Sequence, residues 1–324
     1  MNRTRLGMIG RLIFPANIAS YPTLSLASLS PPLWKRYDIL RGNTAFGPQE
    51  CDSMLPESAQ VNLATTGIQT VFDPTSVRSS VSRISLLQAS SKYLTSGKSL
   101  ISFLQEPVPR NFRVEAQVAR TKRSFMTSNT SVYIMTSEED KCFNFLETTR
   151  QSRSISTSYT IGTRDSTGSL ATLGFLSSSL SGSSYILISK EAPAVHQMAV
   201  LYAKSDNASV APRSITVRKC VNPSKNIRPD ELDMPSSRAD LVTLKNKTPV
   251  YDKHLGAFVL KFDRKVSVPS IKNFQLVESS GAAHALEFGK TGSNSFSLDF
   301  TWPFSPVEAF ACALSSFDFK LCCD

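Results

Sequence analysis

The segment from Pro303 to Asp324, PFSPVEAFACALSSFDFKLCCD, limits the fold more than any other part of the 324-residue chain. Ser305-Pro306-Val307-Glu308 is a helix-start signal. A serine can cap, proline suits the first helical position, and a glutamate three residues past the cap can bond back to it. The residues that follow are apolar nearly all the way round: Val307, Ala309, Phe310, Ala311, Cys312, Ala313, Leu314 and then Phe317. A helix with no polar face must be enclosed by lipid or by protein. A membrane span needs roughly 20 apolar residues, and this run is about half as long. The sequence therefore predicts a buried helix wrapped by whatever precedes it.

What precedes it reads as strands. Phe296, Leu298, Phe300 and Trp302 alternate with Ser297, Asp299 and Thr301, so one face is buried and one is wet. Phe258, Leu260 and Phe262 share a face in the same way. Upstream, Phe112–Val118, Ser131–Met135, Cys142–Leu146, Tyr159–Gly162, Tyr185–Ile188, Met198–Tyr202 and the pair Ile215/Val217 are short alternating or apolar runs separated by turn residues. Strands at roughly 10-residue intervals with few helical patterns point to an antiparallel barrel or sandwich. The strand 295–302 runs straight into the apolar helix through Pro303, which places that helix against the sheet's inner face.

Residues 1–105 differ in texture and are expected to form a Ser/Pro-rich, largely disordered segment ahead of a barrel domain at 106–324. Between Met1 and Tyr37 there is no acidic residue, while Arg3, Arg5, Arg11, Lys35 and Arg36 lie among serines and small apolar residues. That composition fits a disordered leader or an organelle transit peptide. A short helix is expected around Ile84–Leu94.

The net charge of +10 suits an anionic partner, either a phosphoinositide-rich membrane or nucleic acid, and equally suits a basic protein with neither. Six cysteines, Cys51, Cys142, Cys220, Cys312, Cys322 and Cys323, are thinly spread without a CxxC pair. This argues against a zinc site or disulfide framework and for reduced thiols. Cys322-Cys323 is not a CaaX box and reads as a pair at the barrel seam. His196, His254 and His284 each stand alone, Glu138-Glu139-Asp140 reads as a solvated turn, and no phosphate-loop, nucleophile-elbow or zinc-protease motif occurs. No catalytic residue, metal site or cofactor is predicted.

Several segments resemble the tubby family. They are Leu244–Val250 (LKNKTPV), Phe258–Phe262 (FVLKF), Ile271–Leu276 (IKNFQL), Leu286–Lys290 (LEFGK), Phe296–Phe300 (FSLDF) and the tail from Ala309 to Cys323. The likeness runs nearly without gaps there. It continues more thinly upstream through Pro109-Arg110, Phe145-Leu146 with Arg150, Leu173-Gly174, Leu180–Gly182 and Ala211–Arg213. The resemblance implies a mainly β (α+β) fold, a closed twelve-stranded antiparallel β-barrel around a central hydrophobic C-terminal helix. It also implies a non-enzymatic, membrane-associated adaptor that binds the headgroup of phosphatidylinositol 4,5-bisphosphate on a basic outer patch. The locations implied are the cytoplasm and the inner face of the plasma membrane, with the nucleus as a further compartment. Protein partners are unspecified, nucleic acid has no supporting motif, and no apolar run is long enough to span a bilayer. The F-box that many plant members carry has no counterpart in residues 1–100.

Carried onto this chain, the phosphoinositide-binding residues are Arg150 and Arg153, joined by Arg120 and Lys122. Arg123, Arg164 and Lys190 contribute if folding brings them to the same face. Two positions that are basic in the family read Phe175 and Ser177 here. With each cation near an anionic surface worth about 1 kcal/mol, their loss favours weak, salt-sensitive binding. The competing expectation is a divergent protein-interaction or transcription-regulatory protein that has lost most lipid affinity.

Overall fold

A computed structural model describes residues 67–72, 81–125, 128–153, 156–165, 167–190, 196–203, 212–221, 240–262, 265–278 and 284–318. All lie within the unit Met54–Asp324. In chain order the elements are β1 (Gln69–Phe72), β2 (Ser82–Ser85), α1 (Leu86–Thr95), α2 (Leu100–Gln105), β3 (Phe112–Phe125), β4 (Ser128–Ser137) and β5 (Asn144–Arg153). There follow β6 (Ser156–Arg164), β7 (Leu170–Ser178), β8 (Ser184–Ser189), β9 (His196–Ala203), β10 (Ser214–Cys220), β11 (Leu241–Asn246) and β12 (Val250–Asp252). The chain then forms β13 (Ala257–Phe262), β14 (Phe274–Glu278), β15 (His284–Lys290), β16 (Ser295–Phe300) and α3 (Pro306–Ser315).

Antiparallel pairing runs from β3 through β11 in sequence order, then to β14, β15 and β16. β16 returns to β3 with Phe300 opposite Val114 and Ser295 opposite Ala119. That last pairing closes a twelve-stranded barrel and removes the sheet edges that an open form would expose. Alternation along each strand fills the interior. Val114, Ala116 and Val118 of β3 are buried, as are Tyr185 and Leu187 of β8 and Ile215 and Val217 of β10.

Every residue of α3 is buried within this wall. Its start forms as the sequence predicts: the Ser305 hydroxyl accepts from Glu308 N–H at 3.3 Å, and the Glu308 carboxylate accepts from Ser305 N–H at 2.7 Å. The same carboxylate also receives the ammonium of Lys219, which enters from the inner face of β10. One glutamate thus caps the helix and neutralises a buried cation. Burial of a Phe or Leu side chain contributes roughly 1.5–3 kcal/mol, and α3 supplies Phe310 and Leu314 to the barrel core. Beyond the helix, Phe317 meets Phe296 edge-on at 4.9 Å between ring centres, and Phe296 stacks on Phe288 at 5.3 Å.

The folded unit extends N-terminally of residue 106. Ser85 and Ser99 cap α1 and α2 by accepting from Gln88 and Ser102 N–H at 3.2 and 3.1 Å. Leu86, Phe103, Leu104 and Val108 join the same core cluster as Phe310. The helical pair therefore closes the barrel end at which α3 begins, where Val108 N–H donates to Phe304 C=O at 3.0 Å. The helix expected at 84–94 is α1, preceded by β2, which pairs parallel with β3 from Phe112 to Glu115. β4 pairs with β3 only from Ala116 onward, so β2 continues the wall where β4 stops.

β13, the FVLKF strand, lies outside the barrel wall. It forms a separate three-stranded sheet with β12 and, in parallel, β1. Ile68, Leu260, Phe262 and Val266 make its own apolar cluster. This sheet approaches β14 and β15 closely: Gln275 Nε2 donates to Lys261 C=O at 2.8 Å, and a Cβ at Gly289 would stand 2.4 Å from the Val266 methyls.

An aspartate at position 310 would bury an unpaired carboxylate, costing several kcal/mol against a typical total stability of about 5–15 kcal/mol. Phe310→Asp is expected to abolish the cooperative melt followed by circular dichroism; a soluble variant that melts cooperatively would contradict the threaded helix.

Candidate functional site

The barrel mouth at which α3 ends gathers several basic residues. Helix C-termini leave carbonyls without partners and carry partial negative charge. Here Asp318, itself buried, adds a carboxylate. Arg150 Nε donates to it at 2.8 Å, Tyr159 Oη at 2.9 Å and Tyr185 Oη at 3.1 Å. Burial first, and the Asp318 charge second, push both phenols above their usual range. Arg213 Nη2 and Lys272 Nζ each donate to Ser316 C=O at 3.4 Å. Arg120 clasps Asn294 Oδ1 through Nε and Nη2 at 3.2 and 3.1 Å, with its guanidinium 5.8 Å from the Phe317 ring centre.

The register explains the gathering. Arg120 sits opposite Tyr133 and Lys122 opposite Ser131, while Arg150 sits opposite Tyr159. Tyr133 and Tyr159 point inward. Arg120, Lys122 and Arg150 therefore continue the inward alternation of Val114, Ala116 and Val118 to the rim. The structure brings these three to the mouth rather than to the outer wall. Arg150 is one-third exposed and tied to Asp318. Lys122 is exposed, and neither it nor Arg120 has an ion-pair partner among the described residues. Arg153 closes β5 opposite Ser156, and its side chain lies outside the described residues, as does that of Arg123. Arg164 is on the outside, where its Nε donates to Glu147 at 2.9 Å. Lys190 is exposed beyond β8. These two do not join the mouth cluster. Phe175 and Ser177 are exposed on the outer face of β7.

Sequence reasoning missed Arg213, Lys272 and Asp318. Only the position of Asp318, just past the apolar run, signalled that a charge would meet the helix exit.

A second charged group lies on the outer face of β3, β15 and β16. Lys265 Nζ stands 3.0 Å from Glu115, 2.8 Å from Glu138 and 3.7 Å from Asp299. Arg113 approaches Glu287 at 3.8 Å and Asp299 at 3.9 Å. His284 Nδ1 is 3.7 Å from Glu287. Burial outweighs the two cations and lifts the Asp299 carboxyl to about 7. Glu138, expected in a solvated turn, is thus part of a packed network. No group of three or more metal-ligating side chains occurs among the described residues. Cys142, Cys220 and Cys312 form no disulfide among the described residues. Burial raises the Cys312 thiol well above its usual value, which leaves it unreactive. Cys51 and Cys322-Cys323 lie outside the described residues.

An inward-packed barrel threaded by its own C-terminal helix, with charge concentrated at the helix exit, defines the class of protein. Residues 198–319 match the model of the Tub family. The king tubby proteins of Drosophila sechellia and Drosophila yakuba are each 26% identical over 246 residues, covering 68% of this chain and 56% of theirs. Over residues 198–319 the chain is thus similar to the tubby family. It spans about half the length of these curated relatives. No helix among the described residues is long and apolar enough to cross a membrane.

Asp299 gives a pH signature. Its carboxyl holds a proton to about pH 7 when folded but only to about 4 when unfolded. The folded state therefore binds more protons across that window, and stability falls as pH rises through it. Asp299→Asn removes this dependence. The variant's stability relative to wild type, read by urea denaturation, is expected to improve by on the order of 3 kcal/mol between pH 4.5 and 7.5. A difference that stays flat with pH would refute the assignment.

Proposed function

We propose that this protein is a non-enzymatic adaptor that docks on phosphoinositide-bearing membrane at the barrel mouth. Arg120 and Lys122 meet the phosphates of phosphatidylinositol 4,5-bisphosphate. The observation that carries this reading is the pair Arg120/Lys122. It sits two residues apart on one face of a strand end, without a carboxylate partner among the described residues. Arg150 supports the site from behind: its charge is balanced by Asp318, so it presents less field to an incoming phosphate than the resemblance implies. Such docking places the protein in the cytoplasm at the membrane's inner face.

At about 1 kcal/mol per cation, Arg120→Ala/Lys122→Ala is expected to weaken co-sedimentation with liposomes containing phosphatidylinositol 4,5-bisphosphate by roughly 30-fold. Binding that is equal in wild type and variant would remove this site. Absence of wild-type binding at low salt would remove the function.

Phe175 favours a second reading. It is 43% exposed on β7, opposite Ile188, where the family resemblance implies a cation. An apolar outer face suits a protein partner, and with it a regulatory role that includes the nucleus. Phe175→Lys/Ser177→Arg is expected to raise liposome binding severalfold if charge loss at β7 limits it; no gain would count against that explanation.

A further inference from the structure

The helical plug contains a pocket that the lipid-headgroup reading does not use. It has a volume of about 310 Å³ and lies between α1, α2 and the start of β3. Ile84, Ala89, Phe103, Val108, Phe112 and Val114 give it an apolar interior. Apolar cavities exclude water and accept apolar guests; one of about 150 Å³ takes the six carbons of benzene. Twice that volume suits a chain of roughly a dozen carbons.

The rim carries Lys92 and Lys98. Lys98 is paired with Glu106 and lies 4.9 Å from the Tyr93 ring centre. Lys92 Nζ rests 4.3 Å from the Phe112 ring centre and has no carboxylate partner among the described residues. The three charges at the rim therefore sum to a single positive one. That charge suits a monoanionic head, whereas a multiply phosphorylated headgroup needs several cations. An apolar pocket with one net cation at its mouth has the chemistry of an anionic single-chain amphiphile site.

We propose that this pocket binds a fatty-acid-like carboxylate of about twelve carbons, its chain among the plug's apolar side chains and its carboxylate on Lys92. The site lies at the barrel end where α3 begins, opposite the mouth, and does not depend on phosphoinositide binding.

The test is fluorescence titration of the full chain with a dansyl-tagged undecanoate, followed by displacement. Laurate is expected to displace the probe, and dodecyltrimethylammonium, with the same chain and the opposite charge, is expected to fail. Lys92→Gln should weaken laurate about fivefold, and Lys92→Glu tenfold or more, since both lie on the surface and leave the core intact. Ala89→Leu fills the pocket and should abolish probe binding while circular dichroism shows the barrel folded. Lack of saturable probe binding to the wild type, equal displacement by both amphiphiles, or full laurate affinity in Lys92→Glu would each overturn the proposal.

Discussion

One requirement governs this molecule: α3 presents apolar side chains in every direction, so it must be enclosed on all sides. Two packed layers hide one face of a helix; only a closed wall hides them all. The pairing of β16 with β3 closes that wall, and β16 leads directly into the helix it encloses. The last strand and the core helix are thus set by adjacent sequence. The ends of the barrel must be closed separately, and the chain does this differently at each.

At its beginning α3 meets the plug of α1 and α2, and its capping glutamate is also the partner of buried Lys219. Removing either member of that pair strands a charge in a dry interior. At its end the described residues form no such helical plug. Arg150, Arg213, Lys272 and the tyrosine hydroxyls converge on Asp318 and the last carbonyls. Cations near a helix C-terminus are favourable there because the unsatisfied carbonyls carry partial negative charge. Part of the chain's +10 charge therefore belongs to the architecture of the helix exit, and net charge alone overstates what faces a partner.

Local signals were legible in the sequence. The Ser305–Glu308 box and the helix near Ile84 depend on neighbours within a few residues and appear as expected; Phe296, Leu298 and Phe300 face the core as their alternation predicts, but Ser297 and Asp299, expected to be wet, are buried as well and the strand ends at Phe300. What was not legible depends on long-range register. FVLKF has the alternation of a wall strand, yet it pairs with β1 and β12 because pairing is chosen across the fold. Arg120 and Arg150 read as surface cations because most arginines are; which face they take follows from the inward phase of β3 and β5. The second helix, Leu100–Gln105, read as part of an unstructured segment because its apolar face becomes useful only against a barrel end. The plug pocket had no sequence signal, since its lining comes from separate elements.

The cations at the barrel mouth differ in the field they present. At the mouth, Arg150 answers to Asp318, so its outward field is largely that of a dipole and falls off faster than that of a free charge. Lys122, further along the same inward alternation and exposed, keeps the field of a full charge. In water, attraction at 4 Å between unit charges is about 1 kcal/mol, and screening over about 8 Å removes most of what lies beyond. An anion docked as proposed would therefore sense the rim residues first and the helix-exit network hardly at all. Under the proposed docking, adjacent cations serve folding and binding separately, so truncating Arg150 and truncating Lys122 are not equivalent experiments: the first leaves the buried Asp318 carboxylate without its cation, and the second touches only an exposed side chain.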